Sequence, residues 1–326
     1  LMFYLVPSFL ITPRINLFID LVVVFFLVWL WRKISFSLSI KGSKTKVFFL
    51  GSSKEINELT GFLNSRPQLG YTIVDDILLA DLIVAPEETR KKQEFVQILY
   101  NMILGGKNII NFEKFYESIT GKIPVSMISE IWFLENLAET KKENYEKFKR
   151  VMDMFFSFFL FGIFLIIYPF VALAVKINSS GPIFYKQKRV GKNGKIFEIV
   201  KFRSMIENAE KDGVEWAKEK DERITFVGNI LRKIRIDELP QIWNVLKGEL
   251  SFIGPRPERP EFVEELNKKI PHYSMRHLVK PGLTGWAQIN FPYGASVEDA
   301  MKKLQYDLYY IKNKTLLLEI LILLKT

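Results

Sequence analysis

The sequence predicts an α/β membrane protein with three parts: an N-terminal transmembrane helix, a small parallel sheet covered by helices, and a mainly helical domain. Three observations predict this. Two long apolar runs, residues 15–31 and 151–175, match the length of membrane helices. Strand-like and helix-like runs alternate between residues 41 and 125. From residue 177 onward, basic and aromatic residues are interleaved, which is typical of a water-facing domain.

The first apolar run, residues 15–31, is just long enough to cross a bilayer. It ends in a Trp-rich and basic flank, residues 29–33, which is typical of the cytoplasmic interface. We therefore assign residues 1–33 to a transmembrane region and the rest of the chain to the cytoplasm. Residues 1–10 resemble the tail of a preceding helix, so we expect the chain to be a fragment of a longer protein. A buried core helix is the alternative for the apolar run.

Residues 41–125 are predicted to form a Rossmann-like domain with a parallel sheet. The predicted strands are residues 47–50, 71–74, 81–84 and 108–111, and the predicted helices are residues 54–63 and 93–104. Dinucleotide binding by such a domain needs a G-x-G-x-x-G pattern after the first strand, and only Gly51 is present there. A structural or regulatory role is therefore favoured, and nucleotide binding is the alternative. Residues 126–150 are predicted to form a charged amphipathic connector.

The second apolar run, residues 151–175, contains one charged residue and is long enough to cross the membrane. Arg150 precedes it and Lys176 follows it, and both flanks favour the cytoplasmic face. Pro169 interrupts the helical hydrogen bonds in its second half. We therefore predict a re-entrant helix that enters the membrane, bends at Pro169 and returns on the same side; a plain span is the alternative. This helix opens the third domain, residues 151–326.

The composition excludes several kinds of chemistry. The 326 residues contain no Cys, which excludes disulfides, iron–sulfur clusters and a thiol nucleophile. His272 and His277 are five residues apart, a spacing that does not favour a shared metal ion. The net charge of +10 predicts an anionic partner, which could be nucleic acid, acidic lipid or a phosphorylated substrate.

An acidic pair, Asp237 and Glu238, is the strongest candidate for chemistry. The pair precedes Pro240, a favoured first helical residue, and Gly248 is expected to end that helix. A helix N-terminus and the nearby Arg232 both favour ionised carboxylates. Such a carboxylate can attack phosphorus or hold Mg²⁺ on a pyrophosphate. The alternative is a helix cap with surface ion pairs.

Basic residues around this pair suggest a phosphate-binding site. Arg256 lies between Pro255 and Pro257, which stiffen the backbone and favour a fixed, bidentate guanidinium. A predicted hairpin, with strands at residues 184–188 and 197–201, carries further basic residues: Arg189, Lys201 and Arg203. Considered alone, Arg256 would fit an ordinary turn with a solvated side chain. The basic residues of the hairpin, considered alone, would fit a patch that binds lipid headgroups. The Gly-rich residues 280–288 are expected to let the backbone approach a ligand.

Five motifs in order resemble the bacterial sugar transferase family, also called monotopic phosphoglycosyl transferases or polyprenyl glycosylphosphotransferases. The motifs are KFRSM at residues 201–205, DELPQIWNVLKG at 237–248, GPRP at 254–257, KPGLTG at 280–285 and YDLYY at 306–310. The N-terminal part resembles the large members of the family, which carry transmembrane helices and a degenerate Rossmann-like domain. The resemblance covers the chain from about residue 147 to its end most specifically.

The resemblance implies a specific reaction. Family members transfer a hexose 1-phosphate from a UDP-sugar to undecaprenyl phosphate and release UMP, at the cytoplasmic face of the bacterial inner membrane. The large members initiate exopolysaccharide or capsule repeat units. The partners are therefore expected to be this donor, this acceptor and membrane lipid, without nucleic acid, and a homo-oligomer is possible.

The resemblance also assigns roles to residues. Asp237 takes the position of the nucleophile and Glu238 that of its partner, with Mg²⁺ bound near both. Arg232 and Arg256 match positions that handle phosphate. We expect the substrate site to include four further residues: Lys201, Arg203, Arg189 and Asp307. The family's re-entrant helix commonly breaks at Ser-Pro, and here the match is Tyr168-Pro169.

Two other classes of protein are kept as alternatives. One is a membrane-anchored regulatory protein of polysaccharide synthesis that binds a nucleotide in the Rossmann-like domain and has no catalytic activity. It predicts nucleotide affinity that survives deletion of residues 147–326. The other is a polybasic lipid-binding scaffold, which would tolerate Arg256→Lys, whereas a bidentate phosphate clamp would not.

Overall fold

The structure is a computed structural model that describes residues 13–41, 44–137, 143–206, 221–291, 294 and 296–326. In the first helix, side chains are described for residues 17–34. The chain divides into two compact units, one ending at Phe115 and the other beginning at Tyr116.

The first unit is built around a four-stranded parallel sheet with the strand order β2-β1-β3-β4. Its elements are α1 (Pro13–Lys41), β1 (Thr45–Phe49), α2 (Lys54–Asn64), β2 (Tyr71–Ile73), β3 (Leu82–Ala85), α3 (Glu87–Arg90), α4 (Gln93–Leu104) and β4 (Asn108–Asn111). The following helix, α5 (Phe112–Thr120), crosses the boundary between the units. The predicted parallel sheet is confirmed, and each of its four strands lies within two residues of its predicted position.

Local sequence explains the sheet and the helix α2 that follows its strand β1. Val47 in β1 and Ile83 and Val84 in β3 are fully buried, as expected for central strands covered on both faces. Ser53 caps α2, because its Oγ accepts a hydrogen bond from the Ile56 backbone N–H at 3.1 Å. The loop at Gly51 therefore turns the chain directly from β1 into a capped helix.

The first helix, α1, exposes its large apolar side chains between residues 17 and 34. That exposure is what a lipid-facing helix would show. The N-terminal transmembrane helix stays a prediction, and residues 1–12, which include the expected tail of a preceding helix, lie outside the described residues.

The second unit is mainly helical, with two small sheets. Its elements are α6 (Glu130–Leu137), α7 (Glu143–Asn178), β5 (Phe184–Val190), β6 (Ile196–Phe202), α8 (Phe226–Lys233), α9 (Ile242–Lys247), β7 (Ser251–Ile253), α10 (Pro260–Lys269), β8 (Gly282–Thr284), α11 (Trp286–Asn290), α12 (Val297–Asn313) and α13 (Leu316–Lys325). The predicted hairpin is confirmed as the antiparallel pair β5–β6.

The core of this unit forms around α12. Leu304 and Leu308 of α12 are fully buried, and they share a cluster with Val263 of α10 and Trp132 of α6. Part of the stretch predicted as a connector therefore packs into the core of the second unit. Residues 138–142 of that stretch lie outside the described residues.

The 36-residue helix α7 packs along the second unit with one face and exposes the other. Ser157, Val171 and Val175 lie on the buried face. Large apolar side chains recur at helical spacing on the exposed face, and each is more than half exposed: Phe155, Phe158, Phe159, Leu165, Ile166, Phe170, Leu173 and Ile177. Within the described residues, α7 is long and apolar enough to cross a membrane, by length and composition.

Both ends of α7 are attached to the same unit. Near its start, Arg150 donates from Nη1 to the Val245 carbonyl and from Nη2 to the Leu246 carbonyl, both at 2.6 Å. Just beyond its end, the Ser179 carbonyl accepts from Arg203 Nη2 at 2.7 Å. Because both ends of α7 contact one compact unit, these contacts agree with the prediction that both flanks of α7 lie on the same side of a membrane. Helix α7 continues through Pro169 to Asn178, so Pro169 is not a helix end and the bend there stays a prediction.

Sequence reasoning missed a second small sheet, in which β7 pairs in parallel with β8. A Cβ added to Gly282 would lie 2.1 Å from the Gly254 nitrogen, and one added to Gly285 would lie 2.2 Å from the Gly254 oxygen. These glycines thus let backbone approach backbone. The expectation that residues 280–288 also let the backbone approach a ligand stays a prediction.

Candidate functional site

The candidate site lies where strand β6 meets the acidic turn that follows α8. The turn is a 3₁₀ helix, Ile236–Gln241, and it carries Asp237 and Glu238 in its first residues. Lys201 Nζ on β6 donates to Glu238 Oε1 at 2.8 Å. The hairpin and the acidic turn are therefore joined by an ion pair between two residues that the sequence analysis selected.

The acidic turn differs locally from the predicted helix. Pro240 lies inside the 3₁₀ helix, and the α-helix α9 begins two residues later, at Ile242. Arg235, which precedes the turn, adopts the left-handed backbone conformation with φ 60°. Gly248 ends α9 with φ 84°, as predicted. The carboxylates therefore lie in a tight turn that begins after Arg235, whose backbone is left-handed. Helix α9 follows this turn.

Glu238 is surrounded by three cations. Besides Lys201, Arg256 Nη2 lies 3.2 Å from its Oε1, and Arg235 Nη1 lies 3.8 Å from its Oε2. Burial alone would raise the pKa of Glu238, but Lys201, Arg256 and then Arg235 outweigh it and lower the pKa to about 2. Glu238 is therefore ionised at neutral pH and holds three cations beside Asp237.

Asp237 is buried and incompletely paired. It is 7% exposed, and its Oδ1 has no hydrogen-bond partner among the described residues. Burial, followed by the negative charge of Glu238, raises the pKa of Asp237, while Lys201 and Arg232 oppose the rise. Arg232 is itself held by Ser204, whose Oγ accepts from its Nε at 2.8 Å. The orphaned oxygen of Asp237 is the one that a reacting group or a cation could engage.

Arg189 and Arg256 extend the positive surface. Arg189 Nη1 donates to the Pro257 carbonyl at 3.0 Å and lies 3.9 Å from Glu258 Oε2. Burial lowers the pKa of Arg189 to about 10, against the attraction of Glu258, so it is charged at neutral pH. The Arg256 side chain is 42% exposed beside Glu238 and is accessible to an incoming anion.

Two predicted residues lie apart from this group. Arg203 is 7% exposed and contacts Ser179, and its Nε and Nη1 lack hydrogen-bond partners within the part of the chain that the structure describes. Asp307 is 1% exposed, and its Oδ2 lies 2.8 Å from Arg276 Nη2, a residue that sequence reasoning missed. Their contact with substrate stays a prediction.

A divalent cation would find few protein ligands here. Over the described residues, no group of three or more His, Asp or Glu side chains could hold a metal ion. The orphaned Asp237 Oδ1 fits one ligand position, whereas Glu238 Oε1 is occupied by Lys201 and Arg256. Mg²⁺ commonly takes one or two carboxylates together with substrate phosphates and water. These residues therefore fit a Mg²⁺ ion that arrives with a phosphorylated ligand, or whose coordination such a ligand completes.

The arrangement suits phosphate chemistry. Four cations, Lys201, Arg232, Arg235 and Arg256, lie around a largely buried carboxylate pair, and Arg189 lies beside Arg256. Guanidinium groups neutralise and orient phosphate oxygens, and an orphaned carboxylate oxygen can act as a nucleophile. The fold and the site therefore point to the class of membrane-associated proteins, with a candidate anion-binding site that contains a candidate nucleophile.

Comparison with known proteins identifies the family. Residues 144–326, more than half of the chain, match the bacterial sugar transferase family. The chain belongs to this family, as the five motifs predicted.

Named relatives carry related activities. The UDP-N-acetylgalactosamine-undecaprenyl-phosphate N-acetylgalactosaminephosphotransferase of Aeromonas hydrophila is 38% identical over 264 residues, which are 81% of this chain and 60% of that protein. The UDP-glucose:undecaprenyl-phosphate glucose-1-phosphate transferase of Xanthomonas campestris pv. campestris is 44% identical over 159 residues, 48% of this chain and 33% of that protein. A protein of the same name in Escherichia coli K12 is 43% identical over 158 residues, 48% of this chain and 34% of that protein. The matched residues thus span 60% or less of these relatives.

Proposed function

We propose that this protein transfers a hexose 1-phosphate from a UDP-sugar to undecaprenyl phosphate, releases UMP, and so initiates exopolysaccharide or capsule synthesis at the cytoplasmic face of the bacterial inner membrane. The observation that carries the proposal is the buried Asp237 Oδ1, which lacks a hydrogen-bond partner among the described residues and lies within a ring of cations. The named activities of the relatives support the donor and acceptor classes. Those relatives act on different sugars by name, so the proposal extends to hexoses and N-acetylhexosamines.

The reaction proceeds in two displacements. Asp237 Oδ1 attacks the phosphorus that bears the sugar, and the bond from that phosphorus to the bridging oxygen breaks, so UMP departs with the bond's electron pair. A phosphate oxygen of undecaprenyl phosphate then attacks the same phosphorus, and the Asp237 carboxylate leaves. The second step restores the free enzyme and yields the lipid diphosphate sugar.

The surrounding residues bind and orient the two anionic substrates in turn. Arg256 and Lys201, held beside Glu238, and Arg232, held by Ser204, bind phosphate oxygens and neutralise charge that accumulates during displacement. Asp237 and Glu238 would hold Mg²⁺, which would supply Lewis-acid neutralisation of the departing phosphate. The raised pKa of Asp237 makes its ionised oxygen more basic, and therefore a stronger nucleophile, than that of a solvent-exposed carboxylate.

The position of α7 supports access to a lipid substrate. Its apolar outer face is exposed, and both its ends contact the unit that contains the site. Tyr168 on α7 stacks on Phe184 at the start of the hairpin, with ring centroids 5.8 Å apart. A bilayer on the outer face would hold the hairpin and its cations near the headgroups, where the phosphate of undecaprenyl phosphate lies.

The test uses Asp237→Asn, which keeps the shape of the side chain and removes its nucleophilic charge. Membranes that carry the wild type should release UMP from at least one UDP-sugar in the presence of undecaprenyl phosphate, and the variant should lose about a thousandfold or more of that rate. Glu264→Gln is the matched control, because Glu264 forms an exposed ion pair with Lys268 on α10 and should keep wild-type activity. Near-wild-type turnover in Asp237→Asn would refute the assignment of the nucleophile.

A further inference from the structure

A buried arginine lies beneath the loop that carries Arg256. Arg276, in the 3₁₀ turn Tyr273–Leu278, is 4% exposed. Its Nη2 donates to the backbone carbonyl of Arg256 at 3.0 Å. A charge-assisted hydrogen bond to a carbonyl is stronger than a neutral one, so this contact fixes the backbone of Arg256 from the inside of the unit.

The charge of Arg276 is balanced by residues from two other segments. Asp307 of α12 lies 2.8 Å from its Nη2, and Glu258 lies 4.0 Å from its Nη1. Tyr273 Oη accepts from its Nη1 in the same turn. A buried guanidinium that is paired on several sides has a single orientation. The carbonyl of Arg256 is therefore bound to a rigid partner.

The other side of the loop is attached to the hairpin. The Val190 backbone N–H donates to the Glu258 carbonyl at 2.9 Å, and Arg189 donates to the Pro257 carbonyl at 3.0 Å. The loop thus has backbone hydrogen bonds to the hairpin on one side and to Arg276 on the other. Pro255 and Pro257 add fixed φ angles on both sides of Arg256.

This support acts on a side chain that faces the site. Arg256 directs its guanidinium to Glu238, which lies 3.2 Å away, while its own carbonyl points to Arg276. Bidentate phosphate binding depends on the orientation of a guanidinium plane, and that orientation depends on the backbone beneath it. A shift of the loop by about 1 Å is enough to lower a rate a hundredfold.

We propose that Arg276, paired with Asp307, is a positioning residue for Arg256 in the phosphate transfer. The proposal rests on the function proposed above and assigns Asp307 to the support of the loop. Arg276 acts through the Arg256 carbonyl and does not touch substrate.

A double-mutant cycle tests this. Arg276→Lys keeps a cation near Asp307, but a single ammonium cannot replace the planar fork, whose Nη1 contacts Tyr273 while its Nη2 reaches Asp307 and the Arg256 carbonyl. We expect Arg276→Lys to raise the KM for the UDP-sugar about tenfold in the wild-type background. In the Arg256→Lys background, where there is no guanidinium to orient, the same change should alter KM less than about twofold.

The control is Lys312→Met, which breaks an ion pair with Glu117 (2.7 Å) in the same unit and does not contact the loop. Its effect on KM should be negligible in both backgrounds. If Arg276→Lys lowers the melting temperature too far for assay, the isosteric Asp307→Asn replaces it in the cycle, with an effect in the same direction.

The outcomes separate the two proposals. If the effects of Arg276→Lys and Arg256→Lys on KM simply multiply, or if Arg276→Lys leaves KM unchanged, the positioning role is refuted. A merely structural role would lower the melting temperature and the amount of active protein without changing KM. If the wild type itself releases no UMP from any UDP-sugar, the proposed function fails first.

Discussion

Lys201 Nζ lies 2.8 Å from Glu238 Oε1, and this ion pair connects strand β6 to the turn that carries Asp237. Both side chains are mostly buried, at 19% and 16% exposure. The pair therefore fixes a negative charge next to the candidate nucleophile and a positive charge where phosphate would bind. The ion pair also acts electrostatically on Asp237. Burial and the charge of Glu238 raise the pKa of Asp237, and the charge of Lys201 lowers it.

Replacement of Lys201 by Met should change both binding and pH dependence. Without the cation, the pKa of Glu238 rises from about 2 toward its ordinary range, so Glu238 becomes protonated at higher pH than in the wild type. The kcat/KM for the UDP-sugar should fall about tenfold or more. In a pH profile measured between about pH 4 and about pH 8, the acid limb should move to higher pH.

The matched control for this change is Lys195→Met, at an exposed position in the turn of the same hairpin. It should leave the profile unchanged. A Lys201→Met profile that superimposes on that of the wild type would contradict the role of the ion pair.

Replacement of Asp153 by Ala should destabilise the second unit. Asp153 Oδ1 accepts from Ser251 Oγ at 3.1 Å and from the Phe252 backbone N–H at 3.2 Å, and so ties α7 to β7. Its removal leaves buried donors without a partner, at a cost of about 1–3 kcal/mol. The melting temperature should fall by several degrees, since about 1 kcal/mol corresponds to about 2–4 °C in a unit of this size.

Asp153→Asn provides the comparison, because its side-chain oxygen can still accept these hydrogen bonds. Its melting temperature should lie above that of the Ala variant. Equal melting temperatures for the two variants would show that the contacts to β7 contribute nothing to stability.

The course of α7 can be tested with single cysteines, because these 326 residues contain none. Lys147→Cys lies on the exposed side near the start of α7, and Ser180→Cys lies just past its end. We expect a membrane-impermeant maleimide to label both positions in inverted membrane vesicles and neither in intact spheroplasts. Lys268→Cys, at an exposed position of α10, serves as the reference for the side of the membrane on which the second unit lies. Labelling of the two positions from opposite sides would establish a plain span.

The titration of the Asp307 carboxyl should make the stability of the folded protein depend on pH. Burial raises its pKa to about 6, although Arg276 opposes the rise. Because this value lies above that of the unfolded chain, protonation favours the folded state, and the contribution to stability is lost as pH rises through about 6. The melting temperature of the wild type should therefore fall relative to that of Asp307→Asn between about pH 4 and about pH 7. A difference that does not vary with pH would contradict the assignment.

Much of the fold could be predicted because its signals are local. The four parallel strands follow short apolar runs separated by Gly51, Gly70 and similar turn residues, and the hairpin follows a Gly-bounded turn. The candidate site was predicted in part, since Asp237, Glu238, Lys201 and Arg256 do lie together.

The rest could not be predicted because it depends on contacts between distant parts of the chain. The pairing of β7 with β8 requires close approach of Gly254 and Gly282, which no local pattern announces. Arg276 lies in a segment without a motif, and its contact with the Arg256 carbonyl appears only in the folded chain. Asp307 lies in the fifth motif, but the motif does not reveal that its side chain is 1% exposed and lies beside Arg276.

The central claim is that Asp237 becomes covalently linked to the sugar phosphate. Intact-protein mass spectrometry after brief exposure to UDP-sugar without lipid acceptor tests it directly. We predict that the wild type gains the mass of one hexose-phosphoryl or N-acetylhexosamine-phosphoryl group, located at Asp237, and that Asp237→Asn gains none. Product formation on addition of undecaprenyl phosphate, with no adduct detectable at any time beforehand, would contradict the claim.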